Sequence, residues 1–158
     1  MSEAGDPPLA DLPFSEALVS RRPFVVRRQV VWGECDPAGV VYTPRFADYL
    51  VSAFQWFLSY ELANTGLAEL GIGTPMKAMS LEFHRMLKPG DWFDMRVAVT
   101  AVRTRTFDLD VQATGDDGRL HFAGLLTPIM LDNEKGVGVE IPDATRARLQ
   151  TYGATGGI

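Results

Sequence analysis

The sequence predicts an α+β domain in which an antiparallel β-sheet wraps around a long central α-helix. Two features lead there. From residue 44 to about 64, apolar side chains recur with the helical period and cover most of the circumference, the pattern of an enclosed helix. From residue 76 the period switches to alternation, in successive segments parted by turn residues, the pattern of consecutive antiparallel strands. One long helix ahead of hairpin-linked strands belongs to the α+β class.

Taken in order, residues 1–22 read as a flexible lead, and Ser20-Arg21-Arg22-Pro23 marks the entry to a single domain over 23–150. Residues 24–32 are β-branched and aromatic with interleaved arginines, which predicts a strand. Asp36-Pro37-Ala38-Gly39 has turn chemistry, since Pro fixes one dihedral and Gly permits a positive one. Thr43-Pro44 is a helix start: Thr can cap, and Pro is tolerated at the first helical position. Phe46, Tyr49, Leu50, Ala53, Phe54, Phe57 and Leu58 form the apolar face, and Val51, Trp56 and Tyr60 widen it. Asn64-Thr65-Gly66 stops the helix, and residues 67–71 form a short extra turn.

In the next strand Met79, Leu81 and Phe83 face one way, with Ser80, Glu82 and His84 on the other. Lys88-Pro89-Gly90-Asp91 is a turn, after which residues 93–101 and 107–113 alternate on either side of a break at 103–105. Gly115-Asp116-Asp117-Gly118 marks a hairpin. Residues 120–131 form one nearly continuous apolar strand, in which Pro128 marks an edge or a bulge. Residues 136–141 are short and extended, 142–149 form a closing helix, and 151–158 a flexible tail.

Composition narrows the function. A net charge of -5 argues against nucleic acid as a partner, because phosphate binding needs a basic surface. No window approaches the roughly 18 consecutive apolar residues of a membrane span. The N-terminus lacks the basic start and apolar core of a signal peptide, and the single cysteine fits a reducing compartment. Both point to a cytoplasmic protein without a membrane partner. The two histidines, His84 and His121, fall on different strands with no metal-ligand spacing, and each reads as structural or superficial. The Gly-x-Ser-x-Gly pattern of serine hydrolases is absent.

What remains is Asp36, a carboxylate on a loop that feeds directly into a helix N-terminus. Such a terminus presents unpaired N–H groups and the positive end of the macrodipole, where a developing oxyanion is stabilised. A carboxylate beside it suits hydrolysis of an activated carbonyl, as nucleophile or as base for water. The plain alternative for Asp before Pro-x-Gly is turn chemistry alone.

The run Trp32-Gly33-Glu34-Cys35-Asp36-Pro37-Ala38-Gly39-Val40-Val41-Tyr42 resembles the signature of hot-dog-fold acyl-CoA thioesterases of the 4-hydroxybenzoyl-CoA thioesterase type. The resemblance continues through the helix, Gly73-Thr74-Pro75 and Val139-Glu140-Ile141-Pro142, covering roughly residues 24–150. It implies the hot-dog fold and hydrolysis of an aromatic or medium-chain acyl-CoA, with Asp36 catalytic and the Thr43 N–H in the oxyanion hole. It implies also that Arg103 and Arg105 meet the nucleotide phosphates of coenzyme A, with Lys77 and Arg85 as lesser contributors; a charged strand end is the other reading of that pair. A homodimer or homotetramer with active sites between subunits is implied too. Because the coenzyme A thiolate is a competent leaving group, no cofactor and no metal are needed. Where 4-hydroxybenzoyl-specific relatives carry a carboxylate on the helix, this chain has Val51.

The neighbours of Asp36 have their own readings. Glu34 is a second site carboxylate or an ion-paired surface residue, and Cys35 a small buried residue. Gly39 lets the backbone approach substrate, Tyr42 lines the acyl pocket or packs on the sheet, and Ser52 and Gln55 offer polar groups to that pocket. Two rivals stand beside the acyl-CoA reading: a thioesterase for acyl groups on a carrier protein, and a non-catalytic acyl-CoA binding module.

Overall fold

The computed structural model of the chain describes residues 15–153. Its strands are β1 (Glu16–Arg21), β2 (Phe24–Gln29), β3 (Ile72–Gly73), β4 (Met76–Phe83), β5 (Trp92–Val102), β6 (Phe107–Gly115), β7 (Leu120–Pro128), β8 (Leu131–Asp132) and β9 (Val137–Gly138); its helices are α1 (Arg45–Phe57) and α2 (Asp143–Gln150). Six strands form one antiparallel sheet in the order β1-β2-β5-β6-β7-β4, and β3-β8-β9 form a small second one. The large sheet wraps around α1, the hot-dog arrangement. Among the described residues no helix is long and apolar enough to cross a membrane.

The helical period accounts for the core. Phe46, Tyr49, Leu50, Ala53, Phe54 and Phe57 are all buried, as that spacing requires. They meet the inward-facing alternate residues of β5 and β6, among them Phe93, Met95, Val97, Leu109 and Val111. Beyond Phe57 the helix loosens into a π turn at Leu58–Leu62 and a 3-10 turn at Ala63–Thr65, ending on Gly66 in the left-handed region at φ 90°.

Helix and sheet approach closely at Gly124 in β7. A Cβ there would lie inside the van der Waals surface of the Leu50 Cδ1 methyl and 2.8 Å from Cδ2, and Leu50 is fully buried. Gly124→Ala therefore overpacks the core and is expected to cost about 1–3 kcal/mol in urea unfolding. An unchanged midpoint would show that Leu50 has room to yield.

Three expectations need correction. The lead does not extend to residue 22, because β1 pairs with β2 from Glu16↔Arg28 to Arg21↔Phe24; its one register shift and mixed polar sequence hide the strand from a period count. Residues 1–14 lie outside the described residues. At the other end Tyr152, beyond the expected boundary, is buried with its ring centroid 5.1 Å from that of Phe57; the tail at 154–158 lies outside the described residues. The apolar run 120–131 is two strands, not one. β7 ends at Pro128, opposite a bulge in β4 between Met76 and Ala78, and β8 then joins the second sheet.

Candidate functional site

The loop between β2 and α1 is clamped onto itself. Cys35 and Val41 form a β-bridge, the Asp36 N–H donates to the Val40 carbonyl at 2.9 Å, and the Gly39 N–H donates to the Asp36 carbonyl at 2.9 Å. Gly39 sits at φ 77°, a conformation that favours glycine and closes this turn. Asp36 Oδ1 accepts the Ala38 N–H at 2.8 Å, the Asx turn that its sequence dictates. The carboxylate has no ion-pair partner among the described residues, and it is partly exposed. One oxygen is held by the backbone while the other has no hydrogen-bond partner there.

Beyond Thr43 and Pro44, α1 begins at Arg45. Its first turn is built by Phe46 donating to the Thr43 carbonyl and Ala47 donating to that of Pro44, both at 3.2 Å. The Thr43 side chain makes no cap, contrary to the capping expected of it, and its N–H donates to no acceptor among the described residues. An N–H without an acceptor at the positive end of a helix is the kind of group that stabilises negative charge.

Beside Thr43 opens a cavity of about 310 Å³. Val40, Val41, Phe46, Phe83, Met86 and Leu87 form its apolar wall, and Thr43, His84 and Arg85 its polar one. The Phe46 and Phe83 rings meet edge to face at 5.0 Å. The segment after β4 is fixed by the N–H groups of His84 and Arg85, both donating to the carbonyl of His121 at 2.8 and 3.0 Å. Asp36 is not in the wall; the loop reaches it through Val40 and Val41.

The other candidates resolve differently. Glu34 is buried, 3.3 Å from Arg28 Nη2, and accepts the Val31 N–H at 3.2 Å. It holds the loop in place. Burial, with the charges of Glu34, Asp36 and Asp91, raises the Cys35 thiol above its ordinary value, so it is not an activated nucleophile. Tyr42 is exposed, whereas Tyr49 is buried against the sheet, its ring 5.1 Å from Phe93. Ser52 and Trp56 donate to the Glu16 carboxylate, so the polar flank of α1, with Gln55, faces a separate groove between β1 and the helix.

Arg103 spends both η nitrogens on Asp108, at 2.8 and 2.7 Å. That contact, opposed by burial and aided by the Thr127 hydroxyl, holds the Asp108 carboxyl below the usual carboxylate range. Arg105 is exposed and forms no ion pair among the described residues. Both arginines follow the far end of β5, whereas the Asp36 loop is bound to its beginning through Val30 N–H and the Asp91 carbonyl at 2.9 Å. A strand of that length spans about 30 Å from end to end. Within one chain the arginines and the carboxylate do not share a site.

A sequence profile described as Thioesterase-like superfamily matches residues 30–149. No curated protein matches the chain significantly in sequence. Among solved structures, a gentisyl-coenzyme A thioesterase superposes with a TM-score of 0.70 at 21% identity, covering 79% of this chain and 98% of that one. A 1,4-dihydroxy-2-naphthoyl-CoA thioesterase from Synechocystis gives 0.72 at 21%, covering 80% and 95%. A Staphylococcus aureus protein in complex with CoA gives 0.75 at 12%, covering 81% and 82%. These likenesses are of fold.

Proposed function

Because the chain belongs to the thioesterase-like superfamily and is a thioester hydrolase, we propose that it cleaves an acyl-CoA to the free acid and coenzyme A, with Asp36 as the catalytic carboxylate. One observation carries the reading: at Thr43, just ahead of α1, an N–H has no acceptor among the described residues, and the same clamped loop holds a carboxylate with no ion-pair partner among them. Asp36 either attacks the thioester carbonyl, giving a mixed anhydride that water then opens, or takes a proton from the attacking water. In both routes the Thr43 N–H steadies the oxyanion and the thiolate leaves. Gly39 closes the turn, and Tyr42, exposed on the same loop, is available to the acyl-CoA. Thiol release screened across aromatic and medium-chain acyl-CoAs tests the activity; binding without release would leave only a binding module.

The coenzyme A end supports a second proposal. Of the two arginines, only Arg105 has a fork without a partner among the described residues, so Arg105 meets the nucleotide phosphates while Arg103 braces Asp108. Arg105→Ala is expected to raise KM for acyl-CoA about tenfold, the size of one charge-assisted contact, and to leave KM for the acyl-pantetheine unchanged. Arg103→Ala is expected to change stability instead. Should neither substitution touch acyl-CoA turnover, an acyl carrier protein becomes the better substrate.

The distance between Arg105 and Asp36 gives the assembly a reason: an acyl-CoA bound by both would be shared between two copies of the chain. The open edge at β4, with Met79 and Phe83 exposed, supports a homodimer or homotetramer joined there. We place the protein in the cytoplasm, where acyl-CoAs are made.

A further inference from the structure

We infer that the cavity beside Thr43 selects an acyl group carrying a second carboxylate, which Arg85 binds. The inference rests on the thioesterase reading above and names its substrate class. The polar side chains in the wall are those of Thr43, His84 and Arg85, each a donor or a cation in at least one of its states, although His84 Nε2 also stands 3.5 Å from Glu82. No aspartate or glutamate lines it. The helix N-terminus adds positive potential from the same side. An acyl group that brings only a thioester carbonyl would satisfy Thr43 and leave the guanidinium unmatched.

Arg85 is held for this task without being consumed by it. Its Nη1 reaches both carboxylate oxygens of Asp117, at 2.9 and 3.2 Å, and its backbone is fixed on His121. Nε and Nη2 donate to nothing among the described residues, the side chain is 34% exposed, and Arg85 stands between this cavity and a second one that Asp91, Asp116 and Asp117 line. A planar fork with two parallel donors free matches a carboxylate better than a hydroxyl or a methyl. The pair with Asp117 is at the surface, where such pairs contribute little, and it does not compete strongly with a ligand inside the cavity. At about 310 Å³ the space lies at the small end of ligand cavities and fits a short chain or a single ring.

The test compares glutaryl-CoA with its neutral isostere 5-methylhexanoyl-CoA, with kcat/KM read from thiol release. The native protein is expected to favour glutaryl-CoA by at least about tenfold. Arg85→Met is expected to abolish or invert that preference, losing activity on glutaryl-CoA alone, while Arg85→Lys retains part of it. Asp117→Asn, which loosens the anchor but leaves the fork, is expected to keep the preference. Equal loss on both substrates in Arg85→Met would assign Arg85 to the coenzyme A phosphates or to the fold and overturn the inference. So would a native protein indifferent to the carboxylate. Release from neither substrate, nor from any acyl-CoA in a wider panel, would instead bring down the thioesterase reading and this inference with it.

Discussion

Asp36→Asn is expected to lower kcat for thiol release by about 10³-fold, within the range of removing a general base and more if the carboxylate is the nucleophile. The substitution is nearly isosteric, and its amide oxygen can still accept the Ala38 N–H now held at 2.8 Å. The turn therefore survives, and Gly39 keeps its conformation. With the Thr43 N–H and the cavity untouched, KM is expected to stay within about threefold and the unfolding midpoint within about 0.5 kcal/mol of the native protein. That split between kcat and KM separates a role in the transition state from one in holding the loop. A residual activity above about a tenth of native would remove Asp36 from the chemistry. A rapid quench that catches an acyl-enzyme in the native protein would decide for the nucleophilic route.

The helix and the central strands were legible because burial follows period. The six buried positions of α1 lie on the face that the spacing marks, and β5 and β6 alternate as a half-buried strand must. The turn at Asp36 was legible for a related reason: it is local, written in four consecutive residues. What stayed hidden depends on long-range register. His84 and Arg85 enter the cavity wall because both N–H groups find the carbonyl of His121, thirty-odd residues away across the β4–β7 edge. No local pattern encodes that. Arg103 and Asp108 stand close in sequence, yet only the turn between β5 and β6 brings the fork onto the carboxylate. Without that geometry both arginines look equally free for a phosphate. Glu34 was legible in part: ion pairing was one of its two readings, and Arg28 supplies the partner, but the fold buries the carboxylate instead of leaving it at the surface and adds the Val31 N–H.

Glu61→Ala is expected to cost about 3 kcal/mol of stability, roughly 10 °C in Tm for a domain of this size. Glu61 lies in the π turn that follows α1 and is fully buried. Its carboxylate takes the Arg21 guanidinium at 2.6 Å and stands 3.6 Å from Arg148, so one side chain joins the helix end to β1 and α2. The same arginines reach the turn's backbone: Arg21 donates to the Tyr60 carbonyl at 3.0 Å and Arg148 to that of Glu61 at 3.3 Å. Burial alone would raise the carboxyl pKa; Arg21, Tyr152 and Arg148 outweigh it and hold it below its ordinary value. Burial and this carboxylate in turn push the Tyr152 hydroxyl up to about 12. A depressed carboxylate stabilises above its unfolded pKa of about 4.3, and that contribution is lost as pH falls through the lower folded value. The stability difference between native protein and Glu61→Gln, read from urea melts, is therefore expected to stay flat above about pH 5 and to shrink on acidification. A difference that grew as pH fell would mean that burial, not the arginines, sets the state of this carboxyl. The junction of β1, α1 and α2 would then be held by packing around a neutral side chain.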